Sequence, residues 1–403
     1  MKAFDGVLIA GAGVVGLTTA LSLARRGVPV LVLEAESELV REYRGSTFHP
    51  PTLEMLDELG VAEELIRRAV VVDRVQYRDR REGLIAELDM GLLKEDTLYP
   101  FRLQIDQYAL AVMLLDRLKR LPVAEVRFHK RVAAVAASPD HATLTVETSE
   151  GIETFTGRYV VGADGGGSAV RQSLGVEFEG MTYPERYLTM FTTFDFSAHI
   201  PDLGPVSYVS DPGEWFLMLR SPDIWRVLFP TRPEERDQDI LADASIQARL
   251  RGIVDAPGPF DIVHSRLYNV HQRVAGTYRR GAVLLAGDAA HLNNPVGGMG
   301  LNGGIHDAVN LAEKLSRVWH GEAGPDLLDL YATERRRIAL EHVQAQAHRN
   351  VLDLSEPDPD KRRQVHDELR RIARDPELAR QLLLRTSMIA GLRGSAASES
   401  VSV

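Results

Sequence analysis

Three glycines and one acidic residue near the N-terminus have the spacing of a dinucleotide-binding turn. Gly11, Gly13 and Gly16 follow an apolar run that begins at Val7, and Glu34 ends the next apolar run. In such a unit the first glycine makes a tight turn, the second lets the backbone approach a pyrophosphate, and the third lets helix and strand pack closely. The helix then directs its unpaired N–H groups at the phosphates. Glu34 would accept hydrogen bonds from ribose hydroxyls, and a plain structural turn is the alternative.

A second glycine-rich stretch, residues 287–304, indicates the binding of a flat ring. A buried strand predicted at 282–285 is followed by Asp288, and the run PVGGMGLNGG leads into an amphipathic helix predicted over 305–319. Glycines let the backbone lie against a ring, and the helix N-terminus then faces the part of the ring that becomes negative on reduction. Asp288 is a candidate acceptor for a sugar or ribityl hydroxyl, although an aspartate in a structural turn would give the same sequence.

Two further polar residues are predicted at the same edge of the sheet. Asp164 follows a strand predicted at 159–163, and Arg44 lies on a polar loop, REYRGSTF, before helices predicted over 50–69. Ligands of doubly wound sheets bind outside the carboxyl ends of the strands, where both residues would lie. A solvated arginine is the alternative for Arg44.

The remaining elements must position these residues and add a second layer. They are predicted as a strand and a helix over 101–121 with Asp106 as N-cap, an antiparallel meander over 126–156, an antiparallel sheet over 181–231, a helix over 237–253, a strand over 260–269 and helices from residue 326 onward. Short alternating runs without a helical period favour the antiparallel sheet. The predicted class is α/β, with a Rossmann-like unit interleaved with an antiparallel sheet and a helical C-terminal region.

Composition excludes several classes of function. The 403-residue chain has 44% hydrophobic and 26% charged residues, as globular proteins do, and its net charge of −10 argues against sequence-independent nucleic-acid binding. The absence of cysteine excludes disulfides, thiolate nucleophiles and cysteine-ligated metals, and is typical of a reducing cytoplasm. The 12 histidines show no HExxH spacing, so we expect no metal site. The apolar run 7–24 keeps the nucleotide-binding spacing, so we expect a cytoplasmic protein without stable membrane association.

Three separated motifs together resemble one family. They are GAGVVG with Glu34, GADG at 162–165 and GDAAHLNNPVGGMGLNGGIHDAVNL at 287–311. In order and spacing the chain resembles the single-component FAD monooxygenases of the para-hydroxybenzoate hydroxylase fold, over about residues 4–350. The resemblance implies FAD as cofactor and NADH or NADPH and O₂ as co-substrates. It also implies hydroxylation of a phenolic or heteroaromatic substrate through a flavin C4a-hydroperoxide.

The resemblance also implies which residues bind FAD. The first motif would bind pyrophosphate and ribose, the middle motif would lie where FAD and NAD(P)H contacts meet, and the third would bind the ribityl chain and the flavin pyrimidine edge. The predicted FAD-binding residues are Gly11, Gly13, Val15, Gly16, Glu34, Arg44, Gln107, Asp164, Asp288, Pro295, Gly298, Gly300, Leu301 and Asn302. Simple solvent exposure is the alternative for Gln107.

The resemblance divides the chain into interleaved domains. Residues 1–75, 101–180 and 271–325 are predicted to form the FAD-binding domain, 76–100 strands of the substrate domain, 181–270 the substrate-binding β-sheet domain, 326–394 C-terminal helices and 395–403 a disordered tail. The thioredoxin-like domain of the longer phenol hydroxylases is missing from this sequence, so the shorter class is expected. The charged C-terminal helices pack on the body of the protein or on a second subunit, so a homodimer is possible.

The run IWRVLF, residues 224–229, supplies a candidate substrate residue. Alternation places Ile224, Arg226 and Leu228 on one face and Trp225, Val227 and Phe229 on the other. If the second face fills the core, Arg226 must meet solvent or a cavity. In the family this sheet covers the flavin ring, and an arginine among apolar residues is suited to gripping a carboxylate or a phenolate.

Three more residues are predicted at the substrate pocket. Tyr208 on a neighbouring strand would complete the pocket, and Pro295 with His49 would close it nearer the flavin. His49 is a candidate for proton exchange with a phenol because an unperturbed imidazole titrates near neutral pH. Two other functions remain open: epoxidation or N-hydroxylation by the same peroxide, and an FAD oxidoreductase or binding protein that does not activate oxygen.

Overall fold

A computed structural model describes residues 2–41 and 45–393 of the chain. Its strands are β1 (Lys2–Ala3), β2 (Val7–Ala10), β3 (Val30–Leu33), β4 (Thr47–Phe48), β5 (Val70–Val72), β6 (Arg74–Asp79), β7 (Gly83–Asp89), β8 (Arg102–Gln104), β9 (Ala124–Arg127), β10 (Arg131–Ala137), β11 (Ala142–Thr148), β12 (Gly151–Gly157), β13 (Tyr159–Gly162), β14 (Phe178–Thr192), β15 (Val206–Ser210), β16 (Phe216–Arg220), β17 (Trp225–Pro230), β18 (Ile262–Ala275), β19 (Arg279–Arg280), β20 (Val283–Leu285) and β21 (His291–Leu292).

The helices are α1 (Val14–Ala24), α2 (Pro50–Glu58), α3 (Ala62–Arg68), α4 (Gln107–Leu118), α5 (Ala169–Ser173), α6 (Asp237–Ile240), α7 (Asp243–Arg251), α8 (Met299–Trp319), α9 (Asp326–Ile338), α10 (Ala345–Ser355), α11 (Pro359–Arg374) and α12 (Pro376–Thr386). A π-helical segment, Ala339–Gln344, joins α9 to α10. Among the described residues no helix is long and apolar enough to cross a bilayer.

A six-stranded sheet in the order β19-β20-β13-β2-β3-β9 forms the nucleotide-binding unit. All neighbours except β19 run parallel, so the carboxyl ends of β2, β3, β13 and β20 meet at one edge. The predicted meander over 126–156 needs a correction. Val126 lies in β9 beside β3, and only β10, β11 and β12 form the antiparallel meander. Alternation identifies a strand but not the sheet it joins.

An eight-stranded sheet in the order β21-β18-β14-β17-β16-β15-β6-β7 forms the second layer. It is antiparallel, as predicted, except where β15 runs parallel to β6. The helix predicted over 237–253 is instead two helices, α6 and α7. The chain enters this sheet three times, with β6 and β7, with β14 to β18 and with β21. This confirms the interleaved α/β class, while the exact domain limits stay predictions.

Helix α8 begins at Met299, six residues before the predicted start at Ile305. Glycines are weak helix formers, so the sequence favoured a later start. Close packing overrides that preference, because a Cβ on Gly304 would lie 2.6 Å from Cγ2 of Val15 on α1. The helix begins after Gly298, whose φ of 67° is readily adopted by glycine.

The C-terminal helices pack on the large sheet. Leu354 and Leu383 share a buried hydrophobic cluster with Tyr208 of β15. Asp96 pairs with Arg380 and Arg393, both at 2.7 Å, which fastens the C-terminal end of the described chain to the loop after β7. The predicted disordered tail, residues 395–403, lies outside the described residues.

Candidate functional site

A cavity of about 1290 Å³ lies between the two sheets, and we call it the first cavity. Its glycine wall consists of Gly11, Ala12, Gly13, Val14, Val15, Gly297, Gly298, Gly300 and Leu301. Its sheet wall consists of Tyr208, Leu217, Leu219, Arg226, Leu228, Arg266 and Tyr268. The carboxyl ends of the parallel strands therefore open into the same space as the second layer.

The turn between β2 and α1 allows an elongated ligand to reach the backbone. Gly11 has φ 97°, and a Cβ on Gly16 would lie 2.0 Å from the carbonyl oxygen of Gly11. No atom of the described residues lies within 4 Å of a Cβ built on Gly13, which lines the cavity. No side chain of the described residues caps the N-terminus of α1. Its N–H groups are therefore available to an anion in the cavity.

Glu34 lies beside this turn. Its Oε2 accepts a hydrogen bond of 2.6 Å from the N–H of Ala12, and its Oε1 accepts one of 3.0 Å from the N–H of Glu36. These bonds hold the carboxylate at the cavity lining. Each oxygen keeps acceptor capacity for a ribose hydroxyl, since a carboxylate has about four lone-pair sites.

The N-terminus of α8 forms the other part of the glycine wall. Gly298 precedes it without a side-chain cap among the described residues, and Gly300 and Leu301 of its first turn line the cavity. Gln107 lies near this turn, because a Cβ on Gly45 would lie 2.7 Å from Oε1 of Gln107 and 3.1 Å from Cδ2 of Leu301. Two helix N-termini thus face one cavity, where they favour negative charge.

The side chain of Asn302 does not line the first cavity. Its Oδ1 accepts from the N–H of His49 and from Oγ1 of Thr52, at 2.8 and 2.7 Å. Its Nδ2 donates to the carbonyls of Thr47 and Gly298, at 2.9 and 2.7 Å. The amide therefore ties the loop before α2 to the start of α8, and supports the glycine wall from behind.

Asp164, Asp288, Val15 and Pro295 all line the first cavity. Asp164 also caps α5, since its Oδ1 accepts from Oγ of Ser168 at 2.6 Å and its Oδ2 from the N–H of Val170 at 3.1 Å. The carboxylate of Asp164 therefore stabilises the start of α5, a role that the sequence did not indicate. Arg44 lies outside the described residues.

The prediction that His49 exchanges a proton with a phenol needs a correction. The ring is fully buried, and it is not among the residues that line the first cavity. Its Nε2 donates to the carbonyl of Gly297 at 2.9 Å. Burial, and then the nearby Arg102 guanidinium, lower the pKa of His49 well below its usual value. The ring therefore lies behind the glycine wall in this structure, and loop position alone could not reveal its burial.

The sheet wall carries Arg226 as alternation predicts. Trp225, Val227 and Phe229 are buried in a cluster on the opposite face. Arg226 is 8% exposed, lines the first cavity and lies with its guanidinium 5.7 Å from the ring of Phe191. Ile224, expected on the same face, precedes β17 and does not line the cavity.

A buried network that the sequence analysis missed supports the glycine wall. Asp307 of α8 accepts from the N–H of Gly287 at 3.0 Å, from Nε2 of His291 at 2.8 Å and from Nε of Arg335 at 2.6 Å. Burial alone would raise the pKa of Asp307, but Arg335 and His291 outweigh it and lower the pKa to about 2. The sequence signal for this network was Asp307 itself, an acidic residue on the apolar face of a predicted helix.

Comparisons with known proteins agree with this geometry. A family model for the FAD-binding domain matches residues 6–346. The chain is 36% identical to a para-nitrophenol 4-monooxygenase of Pseudomonas sp. over 98% of both chains. It is 33% identical to a 6-hydroxy-3-succinoylpyridine 3-monooxygenase of Pseudomonas putida over 88% of this chain and 90% of that one. A solved p-nitrophenol 4-monooxygenase of Pseudomonas putida superposes with a TM-score of 0.91, at 34% identity, over 95% and 98% of the two chains.

Proposed function

Because the chain belongs to the FAD-binding-domain family and is an FAD-dependent aromatic monooxygenase, we propose that its substrate is a phenol or hydroxylated heteroaromatic that carries an acidic or electron-withdrawing group. The observation that carries the proposal is the single cavity that joins a glycine wall to a sheet wall bearing Arg226. The relatives act on a nitrophenol and a hydroxypyridine, which share this chemistry.

The glycine wall fits FAD. The open space at Gly13 and the uncapped start of α1 would hold the pyrophosphate, and Glu34 would accept from the ribose. Asp288 would accept from the ribityl chain, and the start of α8 would face the flavin pyrimidine edge, with Gln107 beside it. When bound, FAD supplies the electrons taken from NADH or NADPH and the activation of O₂ for transfer of one oxygen atom to an aromatic ring.

The sheet wall would orient the substrate. Arg226 would bind the substrate's anionic oxygen, because a guanidinium makes strong charge-assisted hydrogen bonds. Leu217 and Leu228 cover the space beside it and would exclude water, while Tyr208 and Pro295 limit where the ring can lie. Holding the phenol as its phenolate makes the ring more electron-rich, which favours attack on an activated oxygen.

A substrate screen tests the proposal. The purified holoenzyme would be mixed with phenolic and heteroaromatic acids, and substrate-stimulated NAD(P)H oxidation and product mass would be measured. We expect one compound class to accelerate oxidation and to gain one oxygen atom. Reduction of an acceptor without oxygen, together with a negative screen, would overturn the proposal in favour of a reductase.

The cellular setting is part of the same proposal. The chain has no cysteine, which supports a location in the reducing cytoplasm. The charged C-terminal helices could pack on a second copy of the chain to form a homodimer. Cell fractionation would test the first idea, and light scattering of the holoenzyme would test the second.

A further inference from the structure

A second cavity, of about 570 Å³, lies between the large sheet and the C-terminal helices α10, α11 and α12. Tyr208 and Gly297 line both this second cavity and the first cavity. The two cavities therefore adjoin at these residues. The volume of the second cavity is within the range of small-molecule sites.

A buried cation without a charged partner lines the second cavity. Arg102 of β8 is 2% exposed, and its Nη2 donates to the carbonyl of Thr386 at 3.2 Å, to Oγ1 of Thr386 at 3.3 Å and to Oγ of Ser387 at 3.4 Å. Within residues 2–41 and 45–393, no carboxylate pairs with this guanidinium, and its Nε has no hydrogen-bond partner. The neutral acceptors fix one side of the guanidinium and leave its charge uncompensated.

Arg335 shows what a buried arginine elsewhere in this chain requires. It is also 2% exposed, and its Nε donates to Asp307 at 2.6 Å. Removing a guanidinium from water is costly unless an anion compensates the charge. Arg102 is equally buried but, among the described residues, has no carboxylate beside it. An anionic ligand in the second cavity would compensate the charge of its guanidinium.

The rest of the lining suits an aromatic body. Tyr77 stacks on Tyr208, with ring centroids 5.6 Å apart and an angle of 20° between the rings. Ile85, Met299, Ile338, Leu354 and Ile372 add apolar surface. Glu341, Asp353 and Glu368 also line the cavity, and burial raises the pKa of Asp353. Three further arginines, Arg78, Arg349 and Arg385, line the cavity as well, but they are half-buried or exposed. Arg102 is therefore the buried cation of this lining, and it lies in the same cavity as a stacked aromatic pair.

We propose that the second cavity binds aromatic anions, with Arg102 as the counter-ion and the ring of the ligand against Tyr77 and Tyr208. This site rests on the proposed function and deepens it, because it adds a second binding site for an acidic aromatic ligand beside the first cavity. It makes Arg102 a specificity-determining residue for ligands that carry a carboxylate.

Calorimetric binding of 4-hydroxybenzoate and of its neutral isostere 4-hydroxybenzamide to the holoenzyme tests the proposal. We expect the wild type to prefer the anion, and Arg102→Met to lose about ten- to a hundredfold of that preference, as for a charged hydrogen bond. Arg102→Lys should restore part of it. The matched control is Arg120→Met, an exposed arginine that lines neither cavity, which should leave the preference unchanged.

Two outcomes overturn the assignment: an Arg102→Met enzyme that keeps both its fold and its preference, or an Arg226→Met enzyme that alone loses the preference. Should Arg102→Met not fold, Ile372→Trp is measured instead, because it fills the second cavity from α11 without touching the first cavity. Unchanged anion binding in Ile372→Trp would contradict the site. Binding is measured without turnover, so an enzyme that binds the anion through Arg102 but hydroxylates nothing would defeat only the proposed function.

Discussion

The glycine wall and the sheet wall of the first cavity are built in different ways. The glycine wall offers backbone: two uncapped helix starts, and glycines placed where a side chain would meet Gly11 or Val15. The sheet wall offers side chains from several strands of the large sheet, such as Tyr208 on β15 and Arg226 on β17. A backbone site has little freedom to change, whereas a side-chain site changes with single substitutions. The first wall therefore suits a constant cofactor and the second a variable substrate.

The substitution with the largest expected effect on this contrast is Gly16→Val. A Cβ at Gly16 would lie 2.0 Å from the carbonyl oxygen of Gly11, so the turn must open and we expect complete loss of FAD. Flavin absorbance and thermal unfolding would be measured. The control is Gly324→Ala, where no described atom lies within 4 Å of the new Cβ. Full FAD content in Gly16→Val would mean that the glycine wall tolerates side chains.

Asp307→Asn should destabilise the support behind the glycine wall. It leaves Arg335 buried without its carboxylate, which costs about 3–5 kcal/mol in the free energy of unfolding. Denaturant titration measures this, and Asp326→Asn at an exposed helix start is the control. A loss below about 1 kcal/mol would show that the network is not a support.

The same network predicts a pH dependence. The pKa of Asp307 is about 2 in the folded protein, against an ordinary value of 3.8. A lowered carboxyl pKa stabilises the fold at pH values above 3.8, and that contribution disappears as the pH falls from 3.8 towards 2. We expect wild-type stability to fall more steeply than that of Asp307→Asn across this interval. Parallel curves would contradict the assignment.

Glu34→Arg probes the polar edge of the glycine wall. A cation would replace the carboxylate that accepts from the N–H of Ala12, so FAD binding should weaken by about 1–3 kcal/mol. Glu322→Arg makes the same charge change at an exposed position and should leave FAD affinity unaltered. Equal affinities for both variants would remove Glu34 from the site.

Arg226→Ala should affect the sheet wall alone. We expect the substrate KM to rise by roughly ten- to a hundredfold at normal FAD content, because ground-state binding is lost. Steady-state kinetics and flavin absorbance measure the two quantities. If FAD is lost as well, the two walls are not independent and the contrast between them fails.

Local sequence patterns predicted the glycine wall because each of its two parts is a short continuous stretch of the chain, residues 11–15 and residues 297–301. Gly11, Gly13 and Gly16 lie within one turn, and the cavity also receives Glu34 and Asp288 where strand ends predicted them. His49 and Arg102 could not be assigned in this way, since their burial depends on α8 and on the C-terminal residues Thr386 and Ser387. The early start of α8 was missed because packing against Val15 outweighs the low helix propensity of glycine.

Pairing between distant strands sets the order in which this chain can fold. β13 pairs in parallel with β20, so the six-stranded sheet is complete only when residue 285 has been synthesised. β18 pairs with β21, so the eight-stranded sheet is complete only at residue 292. Closing such long loops makes folding slow. Until α8 emerges to cover α1, the growing chain exposes apolar surface that is prone to aggregate. Because the glycine wall needs residues 297–301 as well as residues 11–15, we expect FAD to bind only after the start of α8 has been synthesised.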